Sequence, residues 1–148
     1  MSKKRILKEF QTIQASKPHG IEVSVPSDNI YIWEAKFAAP EQSFYKGANL
    51  QIQIVLPEEY PLSPPTIRFL TPVFHLNIDQ SSGQVCLGFI TADNWNPTNG
   101  IEDVLRGIFS LLITPQVEAA QDQKILGIFQ DSPRIYERRA RESAKKCR

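Results

Sequence analysis

Residues 71–97 constrain the fold more than any other stretch of this chain. They show no sustained period, yet they carry Phe74, Ile78, Val85, Leu87, Phe89, Ile90 and Trp95. A loop so long and so apolar belongs against the body of a domain, and loops of that kind carry function. The flanking patterns define the body. Before the loop, period two recurs: Ile21, Val23 and Val25 against Glu22 and Ser24, a β-branched and aromatic run at 30–37, then Leu50, Ile52, Ile54 and Leu56 against Gln51 and Gln53. A shorter run follows at 66–70. Alternation with short connections predicts four strands in an antiparallel meander, buried on one face. Residues 57–65 hold four prolines, which remove donors and fix φ, so that run is irregular.

Helical spacing appears at both ends. Ile6, Leu7, Phe10 and Ile13 mark one face of a helix over 2–15, with Lys3, Lys4, Lys8 and Glu9 opposite, and Pro18 and Gly20 stop it. After the loop, Asn99 and Glu102 have the spacing of a capping box. Ile101, Val104, Leu105, Ile108, Leu111 and Leu112 then form an apolar face that ends near Pro115. A third helix is expected within 117–130. A fourth opens with Ser132 at the N-cap and Pro133 at the first helical position. The order predicts one α+β domain over residues 1–148: helix, four-stranded antiparallel meander, long loop, three helices.

Charge and cysteine content narrow the classes. The total is +1, yet residues 134–148 hold seven basic side chains against two acidic ones, a net of +5, which leaves −4 for the rest. A basic terminal helix can meet an acidic surface or nucleic acid; the plainer reading is a solvated face, and nucleic acid is not expected as a partner. The two cysteines, Cys86 and Cys147, are too few for a disulfide framework and form no C-x-x-C pair. The opening MSKKRILKEFQ has no apolar signal core, and nothing approaches the roughly 20 apolar residues of a membrane span. The expectation is a reducing compartment, cytoplasm or nucleus, with no membrane association. No phosphate-binding glycine loop, dinucleotide fingerprint or metal-ligand spacing is present, so no cofactor is expected.

Five elements in order then carry a resemblance: Tyr60-Pro61, Pro64-Pro65, His75-Leu76-Asn77, Cys86-Leu87 and Trp95-Asn96-Pro97. Together they resemble the core of the ubiquitin-conjugating enzymes, whose pattern is Tyr-Pro, Pro-Pro, His-Pro-Asn, Cys-Leu and Trp-x-Pro. The element order over the whole chain is similar too, so the resemblance implies the core fold of that family. It implies that Cys86 accepts ubiquitin, or a ubiquitin-like protein, as a thioester from an activating enzyme. Cys86 then passes the cargo to a ligase cysteine or a substrate lysine. A thiol suits this work, because a thioester forms from another thioester at little cost and stays reactive to amines and thiols; reaction needs the thiolate and access. The partners implied are the modifier, the activating enzyme, a ligase and protein substrates, with the chain itself a monomer.

The same resemblance distributes supporting roles. Asn77 is placed beside Cys86, either as an amide donor to the oxyanion formed on the thioester or as a brace for the loop. His75 is expected to bond loop backbone rather than to catalyse. Leu87, Trp95 and Pro97 are expected to seat the loop around Cys86. Lys4, Arg5 and Lys8 on the first helix, with Leu62, Pro97 and Thr98, map to the face that binds ligase and activating enzyme. Glu22 falls where some members hold a second ubiquitin without covalent linkage.

Three positions depart from the pattern. Leu76 replaces the usual Pro, which is expected to loosen the turn that aims Asn77. Ala119 aligns with an acidic or Ser residue at the mouth of the site that orients an incoming lysine, with Glu118 and Asp122 as substitutes. Gly88 stands where Asp is common. These changes point toward a cysteine rather than a lysine acceptor. The competing readings are a non-catalytic scaffold of the same fold, a thiol hydrolase using Cys86 and His75, and a nucleic-acid module using the basic tail.

Overall fold

The alternation at 50–56 becomes the centre of a sheet, in a computed structural model that describes residues 2–148. Helix α1 spans Ser2–Ser16; strands β1 Glu22–Ser24, β2 Ile32–Ala38, β3 Asn49–Val55 and β4 Thr66–Phe69 follow. Helices α2 Ile101–Ile113, α3 Gln123–Asp131 and α4 Pro133–Lys145 complete the chain, with short 3-10 turns at Pro18–Gly20, Gly88–Ile90 and Val117–Ala119. The strands pair antiparallel in sequence order, β1-β2-β3-β4. Register stacks apolar side chains on one face: Trp33 faces Ile54, Ala35 faces Ile52, Phe37 faces Leu50, and Ile54 faces Ile67. All of these are buried, in one cluster with Ile6 and Ile13 of α1 and six residues of α2, Ile101, Val104, Leu105, Ile108, Leu111 and Leu112. The other face is polar: Gln51 donates to Glu34 at 2.7 Å, and Arg68 to Gln53 at 2.9 Å.

Two local expectations need correction, and a third, Ser132 as an N-cap, holds in position. The N-cap of α2 is Gly100 rather than Asn99: Asp103 accepts the Gly100 N–H at 2.9 Å. The Ile101 N–H goes to Glu9 of α1 at 2.8 Å. Ser132 stands at the N-cap of α4, but its side chain makes no capping bond. It is the single residue between two helices, and its own N–H still closes α3 on Ile128 O at 2.8 Å. Leu7, expected on the buried face of α1, is instead 45 % exposed, at the edge of the stripe set by Ile6 and Ile13.

The loop 71–97 is not free of strand character. Phe69 N–H donates to Gly83 O at 2.7 Å and Val85 N–H to Ile67 O at 2.9 Å, so residues 83–85 extend the sheet beyond β4. The turn that returns the chain to this edge needs a glycine. Gly83 has φ +80°, and a Cβ there would lie 2.3 Å from Phe69 O. This edge delivers the chain to Cys86.

Candidate active site

Cys86 follows directly from the strand-like stretch. Val85 and Leu87 on either side of it are 5 % and 1 % exposed, so alternation turns the Cys86 side chain the other way, where it is half-buried. It opens on a groove of about 240 Å³ lined by Pro65, Thr66 and Ile67 of the β4 edge, and by Gln84, Thr91 and Gln121. Apart from Cys86 itself, no residue lining this groove ionises.

The backbone beneath Cys86 is held by the tripeptide 75–77. Cys86 N–H donates to Asn77 O at 3.1 Å. The Asn77 amide reaches across to the segment after α2: its NH₂ donates to Gln116 O at 2.6 Å and its oxygen accepts Gln116 N–H at 2.8 Å. In this arrangement the Asn77 side chain acts as a brace between two loops, and the residue is 0 % exposed. His75 is equally buried. Its Nε2 bonds Leu111 O at 2.8 Å and its Nδ1 accepts Asn77 N–H at 2.9 Å, which fixes the neutral tautomer with hydrogen on Nε2. Burial pulls its pKa down to about 4, against the partly opposing bond to Leu111. With both ring nitrogens engaged, His75 cannot act as a base for Cys86, which removes the hydrolase dyad.

Leu76 corrects the expectation of a loosened turn. A proline there would have no N–H. The Leu76 N–H donates to the hydroxyl of Tyr136 on α4 at 3.0 Å, and Leu76 O accepts Gln121 N–H at 3.0 Å. Its side chain is 0 % exposed, clustered with Ile125 and Tyr136. Hydrogen bonding and packing replace the ring constraint.

After Cys86 the loop is seated by aromatic packing. Phe89 stacks on Trp95 with centroids 6.4 Å apart, and Trp95 Nε1–H donates to Pro61 O at 2.7 Å, fixing the loop to the proline-rich turn. Phe89 in turn lies over Gly107 of α2, where a Cβ would meet its ring at 2.8 Å. Gly88 O accepts from Asn94 Nδ2 at 2.9 Å and Thr91 Oγ1 at 3.2 Å. Ala119 lies in the 3-10 turn Val117–Ala119 and is not part of the groove wall; Gln121 is. Of the proposed acidic substitutes, Asp122 is committed to capping α3, where its carboxylate accepts Lys124 N–H at 2.8 Å and Ile125 N–H at 3.4 Å.

On the expected partner face, Lys4, Lys8, Pro97 and Thr98 are exposed and Leu62 is 74 % exposed. Arg5 has an internal task. It donates to Pro97 O at 2.9 Å, to Asn99 O at 2.7 Å and to Glu9 at 3.1 Å. Glu9 also accepts the Tyr60 hydroxyl at 2.7 Å; burial, reinforced by that bond, pushes the tyrosine pKa far above its usual value. Sequence reasoning missed Glu9, Gln116 and Tyr136. Only Tyr136 leaves a trace in the pattern, as the large member of a buried α4 stripe with Ala140 and Ala144.

Comparison with known proteins adds independent findings. The family model of ubiquitin-conjugating enzymes matches residues 5–144. The chain is 34 % identical over 143 residues to a Schizosaccharomyces pombe protein named ubiquitin-conjugating enzyme E2 13, covering 97 % of this chain and 95 % of that one. It is 30 % identical to a Caenorhabditis elegans protein named ubiquitin-conjugating enzyme E2 1, covering 95 % of this chain and 72 % of the relative. Among solved structures, a ubiquitin-conjugating enzyme domain from Toxoplasma gondii superposes with a TM-score of 0.87 at 26 % identity, covering 99 % and 98 % of the two chains.

Proposed function

The chain belongs to the ubiquitin-conjugating enzyme family, and from that premise we propose that Cys86 is the sulfur that carries ubiquitin and that its preferred acceptor is another cysteine. The family is one of thioester-carrying transferases, served in general by an activating enzyme and a ligase; a non-catalytic scaffold is not favoured. The observation that carries the assignment is the half-buried Cys86 at the mouth of an open groove on a braced backbone. A thiol so placed can meet a protein's C-terminal carboxyl without a rearrangement of the core.

The choice of acceptor follows from what the groove contains. An incoming lysine arrives as an ammonium and must lose a proton before its nitrogen can attack, so it needs a carboxylate or comparable base nearby. The groove lining supplies none: Asp122 is occupied at a helix cap, and Glu118 is exposed in the 3-10 turn outside the groove wall. A thiol needs no such help, since part of it is already ionised near neutral pH. The partner face is Lys4, Lys8, Leu62, Pro97 and Thr98. The protein works as a monomer in the cytoplasm or nucleus.

Mixing the protein with activating enzyme, ATP and ubiquitin tests the carrier role. A reductant-sensitive adduct is expected, Cys86→Ser should give a reductant-resistant ester or nothing, and Cys147→Ser should charge normally. An adduct that survives Cys86→Ser in reductant-sensitive form sinks the assignment. Discharge of the charged protein to free cysteine and to free lysine tests the acceptor. Cysteine should win by at least about tenfold, and Gln121→Glu, which places a carboxylate in the groove wall, should speed the lysine reaction. Fast lysine discharge that the substitution leaves unchanged refutes the acceptor preference.

A further inference from the structure

We propose that Tyr136 of α4 is a positioning residue for transfer from Cys86, acting through its hydrogen bond to the Leu76 N–H; the inference rests on the reading of Cys86 as the carrier. The two groups are a matched pair. Leu76 occupies the place of a residue that, as proline, has no N–H to satisfy, so the leucine brings a buried donor into the centre of the loop. That donor has 0 % exposure around it and reaches the Tyr136 hydroxyl at 3.0 Å. An unpaired N–H there would force the loop to move until it found water or another acceptor.

The hydroxyl is a fixed point rather than a mobile tip. Tyr136 is 1 % exposed, and its ring packs against Phe129, Phe74 and Phe44 with centroids 4.9, 5.5 and 6.5 Å away. One side of the same pocket is closed by Tyr45, whose hydroxyl donates to Phe74 O at 2.5 Å. From this anchor the constraint reaches two groove-lining residues within one step of chain. Leu76 O holds Gln121 N–H at 3.0 Å, and Gln121 lines the groove. The next carbonyl, Asn77 O, holds Cys86 N–H at 3.1 Å. A helix packed behind the loop thus sets the height of Cys86 and of Gln121, a second residue lining the same groove.

The pairing makes a prediction that simple destabilisation does not. Tyr136→Phe should charge with ubiquitin but discharge its thioester to saturating free cysteine about tenfold more slowly than wild type, at a temperature well below melting. In a Leu76→Pro background there is no N–H left to orphan. Tyr136→Phe, which keeps the ring and its packing, should then change the discharge rate by less than about twofold, and its cost to the thermal midpoint should shrink as well. Equal slowing by Tyr136→Phe in both backgrounds, or no slowing with Leu76 present, overturns the inference. Failure of the carrier reading is separate, because it appears as wild type never charging. Should Tyr136→Phe melt too low to assay, the wild-type amides decide. Hydrogen exchange at Leu76 should be as slow as in β3, and exchange at the rate of an open loop overturns the pairing.

Discussion

The chain before Cys86 and the chain after it are held by different chemistry. Residues 75–77 are fixed by neutral groups with no exposure: an imidazole, an amide and a tyrosine hydroxyl, each bonded to backbone. Residues 97–101 are fixed by a charged clamp. Arg5 holds two carbonyls, and Glu9 holds the first N–H of α2, with side chains 34 % and 19 % exposed. A neutral, dry brace is insensitive to salt and has a single sharp geometry. A charged, partly wet clamp is weaker for each contact, and it stands on the face expected to meet partners, where contacts can be exchanged. The thiol is therefore mounted on the rigid side, and the proposed partner surface is the adjustable one.

The rigid side should show the largest loss. Asn77→Ala empties the space of a fully buried amide and leaves both backbone groups of half-buried Gln116 without their partners. At about 1 kcal/mol for each half-buried backbone group and about 2 kcal/mol for the cavity left in place of the amide, unfolding free energy should fall by about 4 kcal/mol, measured by urea titration. A loss below about 1 kcal/mol with activity abolished would reverse the reading of Asn77, making its amide a donor to the reacting centre and not a brace.

Acid should find the same side next. His75 is held neutral with a pKa of about 4, while in the unfolded chain it titrates near 6.5. Unfolded protein therefore takes up a proton first. The stabilising contribution of this site is complete above about pH 6.5 and is lost progressively as pH falls to about 4, amounting to about 3 kcal/mol. Urea midpoints from pH 7 to pH 4.5 should fall accordingly, and His75→Gln should flatten the upper part of that slope. A wild-type curve that is level between pH 6.5 and 5 contradicts the burial of a neutral imidazole.

How far the sequence foretold these two regions follows from the range of the interactions. Alternation at Leu50, Ile52 and Ile54 is a local signal, and β3 appears with all three buried. The apolar face of α2 was legible in full for the same reason. The cap of α2 was displaced by one residue because its decisive partner, Glu9, comes from the first helix, and nothing near Gly100 announces it. Cys86, His75 and Asn77 were visible as a motif. What holds them was not, since Tyr136, Leu111 and Gln116 meet them across 36 or more positions of sequence. Leu76 shows the consequence. Read alone it removes a constraint, and only the tertiary structure supplies the hydroxyl that restores one.

The charged side should lose less, and in a way that salt reveals. Glu9→Gln keeps an oxygen for Ile101 N–H but removes the charge that faces Arg5, Tyr60 and the start of α2. A loss of about 1.5 kcal/mol at low ionic strength is expected, shrinking as salt approaches 1 M. The Asn77→Ala deficit should hold constant across the same range. A salt-independent Glu9→Gln deficit would mean that the clamp is as dry as the brace.

The smallest effect separates charge from burial as the source of the clamp's strength. Arg141 pairs with Glu137 at 2.8 Å, closer than Arg5 stands to Glu9, and it also covers the Phe44 ring at 5.2 Å. Yet its side chain and that of Glu137 are 52 % and 43 % exposed, so water competes for both ions and the long side chains must be ordered to meet. Arg141→Ala should shift the unfolding free energy by less than about 0.5 kcal/mol in either direction. If distance alone set the energy, this pair would outrank the Arg5 contact. A measured loss matching that of Glu9→Gln would show that ion pairing itself, without the half-buried carbonyls and helix terminus behind it, stabilises this fold.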